Sequence, residues 1–266
     1  MNIVAIIPAR MGSSRFPGKP LEPIMGVPMI GHVYLRTAMA ESLTDCWVAT
    51  CDQEIKDYIE SIGGKAVMTA DTHERCSDRC AEAMLKIEEQ TGNKIDVVVM
   101  VQGDEPLVTP AMIDASVEAL QTGIKLGGGV ACLMGAIETA ENFEDPNEIK
   151  VVVDKNNRAL FMSREPIPTN KRDVPEGPWL KQVCIIPYTR EYLLEFNDME
   201  QTPLEIAESI DLNRCLENGH VVQMAHSPDL AVSVDTPADR ELAEKLMGDD
   251  KLVGEYLDSA KAKAAA

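Results

Sequence analysis

Two acidic motifs and one cationic loop carry the residue types that chemistry on a phosphate requires. "VQGDEP" sets Asp104 and Glu105 directly after an apolar run, and "SVDTPADR" sets Asp235 directly after another. The stretch "IIPARMGSSRFPGKP" holds Arg10, Arg15 and Lys19 with two glycines, two serines and no acid. Carboxylates offer hard oxygen ligands to Mg²⁺ and leave coordination positions open for phosphate oxygens. Glycine-rich backbone and local cations suit the phosphates themselves. Asp104, with Asp235 as a second candidate, therefore points to a Mg²⁺–nucleotide site. Each piece has a plainer alternative: a solvated surface loop, and for Asp235 an N-cap before a helix starting near Pro237. The loop fits neither GxxxxGK[ST], because Pro20 follows Lys19, nor GxGxxG, so P-loop and Rossmann dinucleotide sites are excluded on spacing. His32, His73, His220 and His226 form no convincing triad, and His73, Cys76 and Cys80 lack a fourth zinc ligand.

Loops of this kind need strands to hold them. "NIVAIIPA", "CWVATC", "KAVMT" and "DVVVMVQGDEP" read as buried strands. Between them, "PMIGHVYLRTAMAES", "DQEIKDYIESIG" and "SDRCAEAMLKIEEQTG" read as helices, the last with Ser77 as N-cap and Gly92 as its end. Alternation of this type predicts an α/β fold, a mostly parallel central sheet with helices on both faces. In such sheets ligands bind beyond the C-terminal ends of the strands, which is where the loop and "GDEP" fall. After about residue 127 the rhythm loosens. "GGGVACLMGAI", "EIKVVVDKNNRALFMS" and "KQVCIIPYT" read as strands, the middle one a hairpin through "KNN". "REPIPTNKRDVPEGPW" reads as a connector and "PLEIAESIDLNRCLENGH" as one helix; "HVVQMAHS" and "LAVSVD" then read as strands before a final helix. The expected organisation is a single α/β domain over 1–266. Residues 127–215 would form a smaller, more antiparallel lobe, and 248–266 a marginal helix or disordered tail.

Composition narrows the partners. The 266 residues are 45% hydrophobic but only 4% aromatic, so the core must be aliphatic, with fourteen methionines contributing. A net charge of −19 argues against polymeric nucleic acid, though not against a small phosphate ligand met by a local cluster. No run approaches the ~18 apolar residues of a membrane span, and "MNIVAIIPAR" lacks a basic region before its apolar one. The expectation is a cytoplasmic protein whose seven cysteines are reduced thiols.

In this order the motifs resemble those of the 3-deoxy-manno-octulosonate (Kdo) cytidylyltransferases, the CMP-Kdo synthetases, over residues 2 to about 246. "IIPARMGSSRFPGKPL" is similar to their N-terminal motif, "THERCSDRCAEA" to H-x-S-G-T-x-R, "VQGDEP" to their acidic motif and "VDTPADRE" to their C-terminal metal motif. "EIKVVVDKNNRALFMSREPIP" is similar to a strand pair followed by F-S-R-x-x-I-P. The resemblance implies a fold like the nucleotide-diphospho-sugar transferases and transfer of CMP from CTP to an acidic acceptor. It implies that Arg10, Ser13, Arg15 and Lys19 hold the triphosphate, that Arg79 and Gln102 approach the nucleotide, and that Asp104 and Asp235 ligate Mg²⁺. Lys19 would also neutralise the departing pyrophosphate, so Lys19, Asp104 and Asp235 form the catalytic set. Arg164 would pair with the acceptor's carboxylate, and a homodimer is implied.

The acceptor side departs from that pattern. R-H-L-G-I-Y-G-Y stands as "KQVCIIPY", so Gln182 replaces a histidine and Ile186 a tyrosine, while Tyr188 remains. E-Q-L-R stands as "DLNR", giving Asp211 and Leu212, and S-G becomes Arg75-Cys76. Lost hydroxyl partners would penalise Kdo, and Arg75 would suit an additional anionic group. Arg75, Arg164, Gln182, Tyr188 and Asp211 are thus the acceptor candidates. A Kdo-like sugar acid leads, with a phosphonate acceptor or a non-catalytic nucleotide-binding protein as alternatives.

Overall fold

A computed structural model describes residues 1–12, 16–169 and 179–264. Ser13, Arg15 and most of the expected connector lie outside the described residues. The chain forms two compact units, Met1–Asp114 with Asp229–Ala266, and Ala115–Pro228. In chain order, β1 (Ile3–Ala9) leads through a 3-10 turn at Lys19–Leu21 to the small antiparallel pair β2 (Pro23–Ile24) and β3 (Val27–Pro28). Then come α1 (Met29–Thr37), β4 (Asp45–Thr50), α2 (Gln53–Ser61), β5 (Ala66–Met68), α3 (Cys76–Thr91), β6 (Val97–Val101) and α4 (Pro110–Lys125). The second unit continues with β7 (Val130–Ala136), α5 (Ala140–Glu144), β8 (Lys150–Val153), β9 (Ala159–Ser163), β10 (Leu180–Val183) and β11 (Ile185–Thr189). It closes with α6 (Arg190–Asp198), α7 (Pro203–Glu208), α8 (Leu212–Glu217) and β12 (Val222–His226), before α9 (Pro237–Gly248) and α10 (Val253–Ala264) complete the first unit.

In the first unit the strands run in the order β5-β4-β1-β6, all parallel. Every residue of β1 and of β6 is buried, as expected of β-branched runs covered on both faces by helices. Parallel pairing puts the C-terminal ends of β1, β4, β5 and β6 along one edge. Helix α3 begins one residue before the expected Ser77; Arg75 takes the N-cap position in extended conformation, and Ser77 is buried in the first turn. "LAVSV" makes no ladder; its backbone bond is from Val234 N–H to the Asp104 carbonyl, 2.9 Å, so the segment serves a loop.

The tail is a helix because it has an apolar face and polar anchors. Val234, Ala243, Met247, Val253 and Tyr256 pack with Ile24, Met29 and Leu107. His32, fully buried in α1, contacts the Ile24 carbonyl through Nε2 at 2.8 Å and the Tyr256 hydroxyl through Nδ1 at 2.7 Å. Arg36 donates to the Val108 carbonyl and pairs with Asp250 at 2.7 Å.

In the second unit β7 pairs antiparallel with β10 and β11 and parallel with β12, and the β8–β9 hairpin joins through β10. Asn157, in left-handed conformation (φ 57°), makes the expected "KNN" turn. The run "KQVCIIPYT" is two strands interrupted at Cys184, and the helix expected over "PLEIAESIDLNRCLENGH" is α7 and α8 separated at Ser209, whose φ is 53°. A buried bidentate pair, Arg214 to Glu205 at 2.6 and 2.8 Å, holds those two helices together.

Burial lowers the His32 pKa below its usual 6.5, against the upward pull of the Ile24 hydrogen bond. The unfolded chain therefore takes up a proton that the folded chain refuses. Stability is whole above pH 6.5 and falls as pH drops below it, by up to ~1.4 kcal/mol per pH unit. Urea unfolding across this range should show that slope, and a His32→Gln variant should flatten it.

Candidate active site

Arg10, Lys19, Cys76, Gln102, Asp104 and Asp235 line one cleft of about 270 Å³ at the C-terminal edge of the parallel strands. Each reaches it for a local reason. Arg10 follows the last residue of β1 and is exposed. The Met11 N–H donates to Asp52, which follows β4, at 2.7 Å, and the Gly18 N–H donates back to the Met11 carbonyl at 3.1 Å. The loop is thus closed at its base. Gly18, at φ 76°, turns the chain into the 3-10 turn that begins at Lys19; a side chain there would be strained. Gly103 passes so near β1 that a Cβ would meet the Pro8 carbonyl at 2.8 Å, which lets Gln102 and Asp104 stand against the loop.

Lys19 is the centre of the site. Its Nζ lies 2.7 Å from Asp104 Oδ2 and 3.1 Å from Asp235 Oδ1. Burial by itself would lower the Lys19 pKa, but Asp104 and then Asp235 overcome it and raise the value, so the side chain is an ammonium. Asp235 is not an N-cap. Thr236 caps α9 in a capping box with Asp239, which leaves the Asp235 carboxylate turned to Lys19. The two acidic loops are joined twice: the Val234 N–H donates to the Asp104 carbonyl, and the Ser233 hydroxyl donates to the buried Glu105 carboxylate. Glu105 and Ser233 stand in the two acidic motifs, but only the fold shows that they pair with each other.

A smaller recess of about 80 Å³ adjoins the cleft through Arg10 and Cys76 and is lined also by His73, Arg75 and Arg79. Arg79 is 3% exposed; its Nη1 donates to Thr69 and to the Ala70 carbonyl, and its Nη2 has no hydrogen-bond partner among the described residues. The Cys76 thiol donates to Gln102 Oε1 at 3.3 Å. A wider groove of about 630 Å³ runs along β5, but its Lys56, Lys65 and Lys86 pair with Glu60, Asp45 and Glu82 beside them.

The donor set suits Mg²⁺. Among the described residues no group of three or more His, Cys, Asp or Glu is placed to hold a metal ion. Two carboxylates already converge on one cation, and Mg²⁺ is characteristically held by one or two carboxylates with substrate phosphates and water completing its shell.

The remaining candidates lie in the second unit. The Arg164 guanidinium donates to the carbonyls of Glu208, Pro146 and Ser209. Gln182 Nε2 contacts the Cys132 sulfur at 3.6 Å, and Asp211 precedes α8. Tyr188 is fully buried, its ring packed against that of Phe196. Ile186 and Leu212, which stand where the resembling motifs have polar residues, are likewise core residues at 4% and 0% exposure.

The sequence pattern of the cytidylyltransferase family matches residues 4–226. The chain belongs to that family. It is 39% identical over 257 residues to a 3-deoxy-manno-octulosonate cytidylyltransferase of Geobacter metallireducens, covering 92% of this chain and 98% of the relative. An 8-amino-3,8-dideoxy-manno-octulosonate cytidylyltransferase of Shewanella piezotolerans is also 39% identical, covering 94% of this chain and 100% of that one. Among solved structures, a CMP:2-keto-3-deoxy-manno-octonic acid synthetase complexed with CTP superposes with a TM-score of 0.84 at 36% identity, over 93% of this chain and 99% of that one. This cytidylyltransferase is accordingly a CTP-dependent nucleotidyltransferase of mixed α/β fold, in the nucleotide-diphospho-sugar transferase class. No helix among the described residues is long and apolar enough to cross a membrane.

The Ser233–Glu105 bond places Asp235 without touching the cleft chemistry. Ser233→Ala should lower kcat about tenfold, the scale of lost support behind a metal-type ligand, while circular dichroism stays unchanged. Ser233→Thr should retain most of the activity. Equal kcat for Ser233→Ala and the parent would count against this role.

Proposed function

We propose that the protein transfers CMP from CTP to a Kdo-type sugar acid with Mg²⁺, releasing pyrophosphate. The observation that carries the reading is Lys19 held between Asp104 and Asp235 in a cleft that Arg10 also lines. In this reaction a hydroxyl oxygen of the acceptor attacks the α-phosphorus of CTP. The new P–O bond forms as the bond to the β-phosphate breaks, in line, and pyrophosphate leaves. The work left to the protein is positioning and charge neutralisation, which matches a site where no histidine or serine nucleophile is assigned.

Arg10 and Lys19, with Ser13 and Arg15 from the same loop, would hold the triphosphate and neutralise the leaving pyrophosphate. Arg79 and Gln102 would bound the nucleoside end. Asp104 and Asp235 would hold Mg²⁺, which when bound supplies charge screening and a lower pKa for the attacking hydroxyl. Arg164, Gln182 and Asp211, with Arg75, would face the acceptor, and a homodimer would be the working form. Support for a sugar-acid acceptor is the near-complete coverage of relatives acting on two such acids. Because both are 39% identical to this chain, similarity does not choose between them. A phosphonate acceptor is the second reading, favoured by Arg75 beside Arg10 and Arg79 in the recess.

Pyrophosphate release should be seen with CTP and not with UTP or GTP, when Kdo, 8-amino-Kdo and a small phosphonate are offered in turn. Turnover with a phosphonate alone would replace the sugar-acid reading, and turnover with UTP or GTP but not CTP would remove CMP transfer altogether. Chelation of divalent cations should stop the reaction. Asp104→Asn should reduce kcat by about 10³-fold, on the scale of losing one transition-state charge partner. A rate equal to the parent's would refute the metal assignment.

A further inference from the structure

The Lys19 ammonium stands where a metal cation would have to stand. Its two contacts, 2.7 and 3.1 Å, reach one oxygen of each carboxylate, and the side chain is 11% exposed. A dication sharing those carboxylates would be thrust against the ammonium at contact distance, where like charges repel strongly in a partly dry cleft. The two cations therefore compete for one position. The lysine has somewhere else to go. It lies in a cleft also lined by Arg10, a residue placed to meet the same phosphates, and its flexible four-carbon stem lets the ammonium change partners.

We infer that Lys19 is a displaceable occupant of the metal position: it holds Asp104 and Asp235 together and excludes a divalent cation until a triphosphate draws its ammonium away. The inference rests on the Mg²⁺–CTP reading above. It gives Lys19 two successive partners, the carboxylates first and the phosphates second. Nucleotide and cation then bind cooperatively, because each removes what opposes the other. The arrangement also spares the free enzyme two facing carboxylates with no cation between them, a repulsion that would otherwise spread the loops after β6 and before α9. A purely structural ion pair predicts the opposite behaviour on removal of the lysine: looser loops and no gain in cation affinity.

The probe is Mn²⁺, titrated into nucleotide-free protein and followed by the electron paramagnetic resonance signal of the free ion. Lys19→Met should bind Mn²⁺ at least about tenfold more tightly than the parent, within the usual range of coupling between two sites. Lys19→Arg, which keeps a cation, should stay as weak as the parent. Asp104→Asn added to Lys19→Met should abolish the gain. In the parent, CTP should raise Mn²⁺ affinity toward that of Lys19→Met. If Lys19→Met binds Mn²⁺ no better than the parent while its thermal unfolding is unchanged, the inference is overturned. If its unfolding shifts, the comparison passes to Lys19→Gln, and absence of a gain there overturns it equally. Pyrophosphate release by the parent is scored separately. Release without a Mn²⁺ gain ends the displacement idea alone, and a Mn²⁺ gain without release from CTP ends the proposed reaction alone.

Discussion

Two carboxylates and one ammonium, brought from three places in the chain, set the terms for the first unit. Lys19 is separated from Asp104 by 85 positions and from Asp235 by 216. No local propensity closes such distances. What closes them is the parallel register of β1 with β6, Ile3 to Val97 through Ile6 to Met100, which sets the end of β1 beside the end of β6. The return of the chain after the second unit then supplies Asp235. Left unpaired, a partly buried ammonium or either carboxylate would carry a desolvation cost; joined, they offset one another. The ion triad therefore asks for both a sheet and a covering tail, and the packing of Val234 with Leu107, Met247 and Tyr256 meets that need beside the charges.

That dependence explains why α9 and α10 belong to the site's architecture. Thr236 and Asp239 cap α9, so the Asp235 carboxylate is released from backbone duty immediately before the helix begins. The same carboxylate cannot both cap a helix and be offered to Lys19. Farther along, Tyr256 meets His32 and Asp250 meets Arg36, fixing α10 to α1. Positions away from the cleft thus help decide where the Asp235 carboxylate stands.

Much of this was open to reading from residues. β1 and β6 are uninterrupted apolar, β-branched runs, and burial at every position leaves only one physical interpretation of such runs. Arg10, Lys19 and Asp235 each have a plainer reading as solvated or capping residues, and the fold brings them to one cleft with Asp104. Helix α4 escapes the reading although Met112, Ile113, Val117 and Leu120 carry helical spacing and are buried. Ser209 and Cys184 break a helix and a strand through backbone conformation, which their side chains do not advertise. Glu105 and Ser233 are ordinary residues until the fold joins them. Tyr188, which matches a motif, stands at a core position, where its ring packs on Phe196.

Charge is what distinguishes the nucleotide half from everything around it. A net −19 would seem to repel a triphosphate, yet at physiological salt charges act over a Debye length of about 8 Å. Surface acids farther than that from the cleft are screened. Arg10 and Lys19 line the cleft itself, and around the largely buried Lys19 each interaction is stronger. Asp104 and Asp235, which line the cleft, are already neutralised in part by Lys19. Local pairing would therefore let an acidic protein present a phosphate site, and the lysine that masks the acids is the one the phosphate would need.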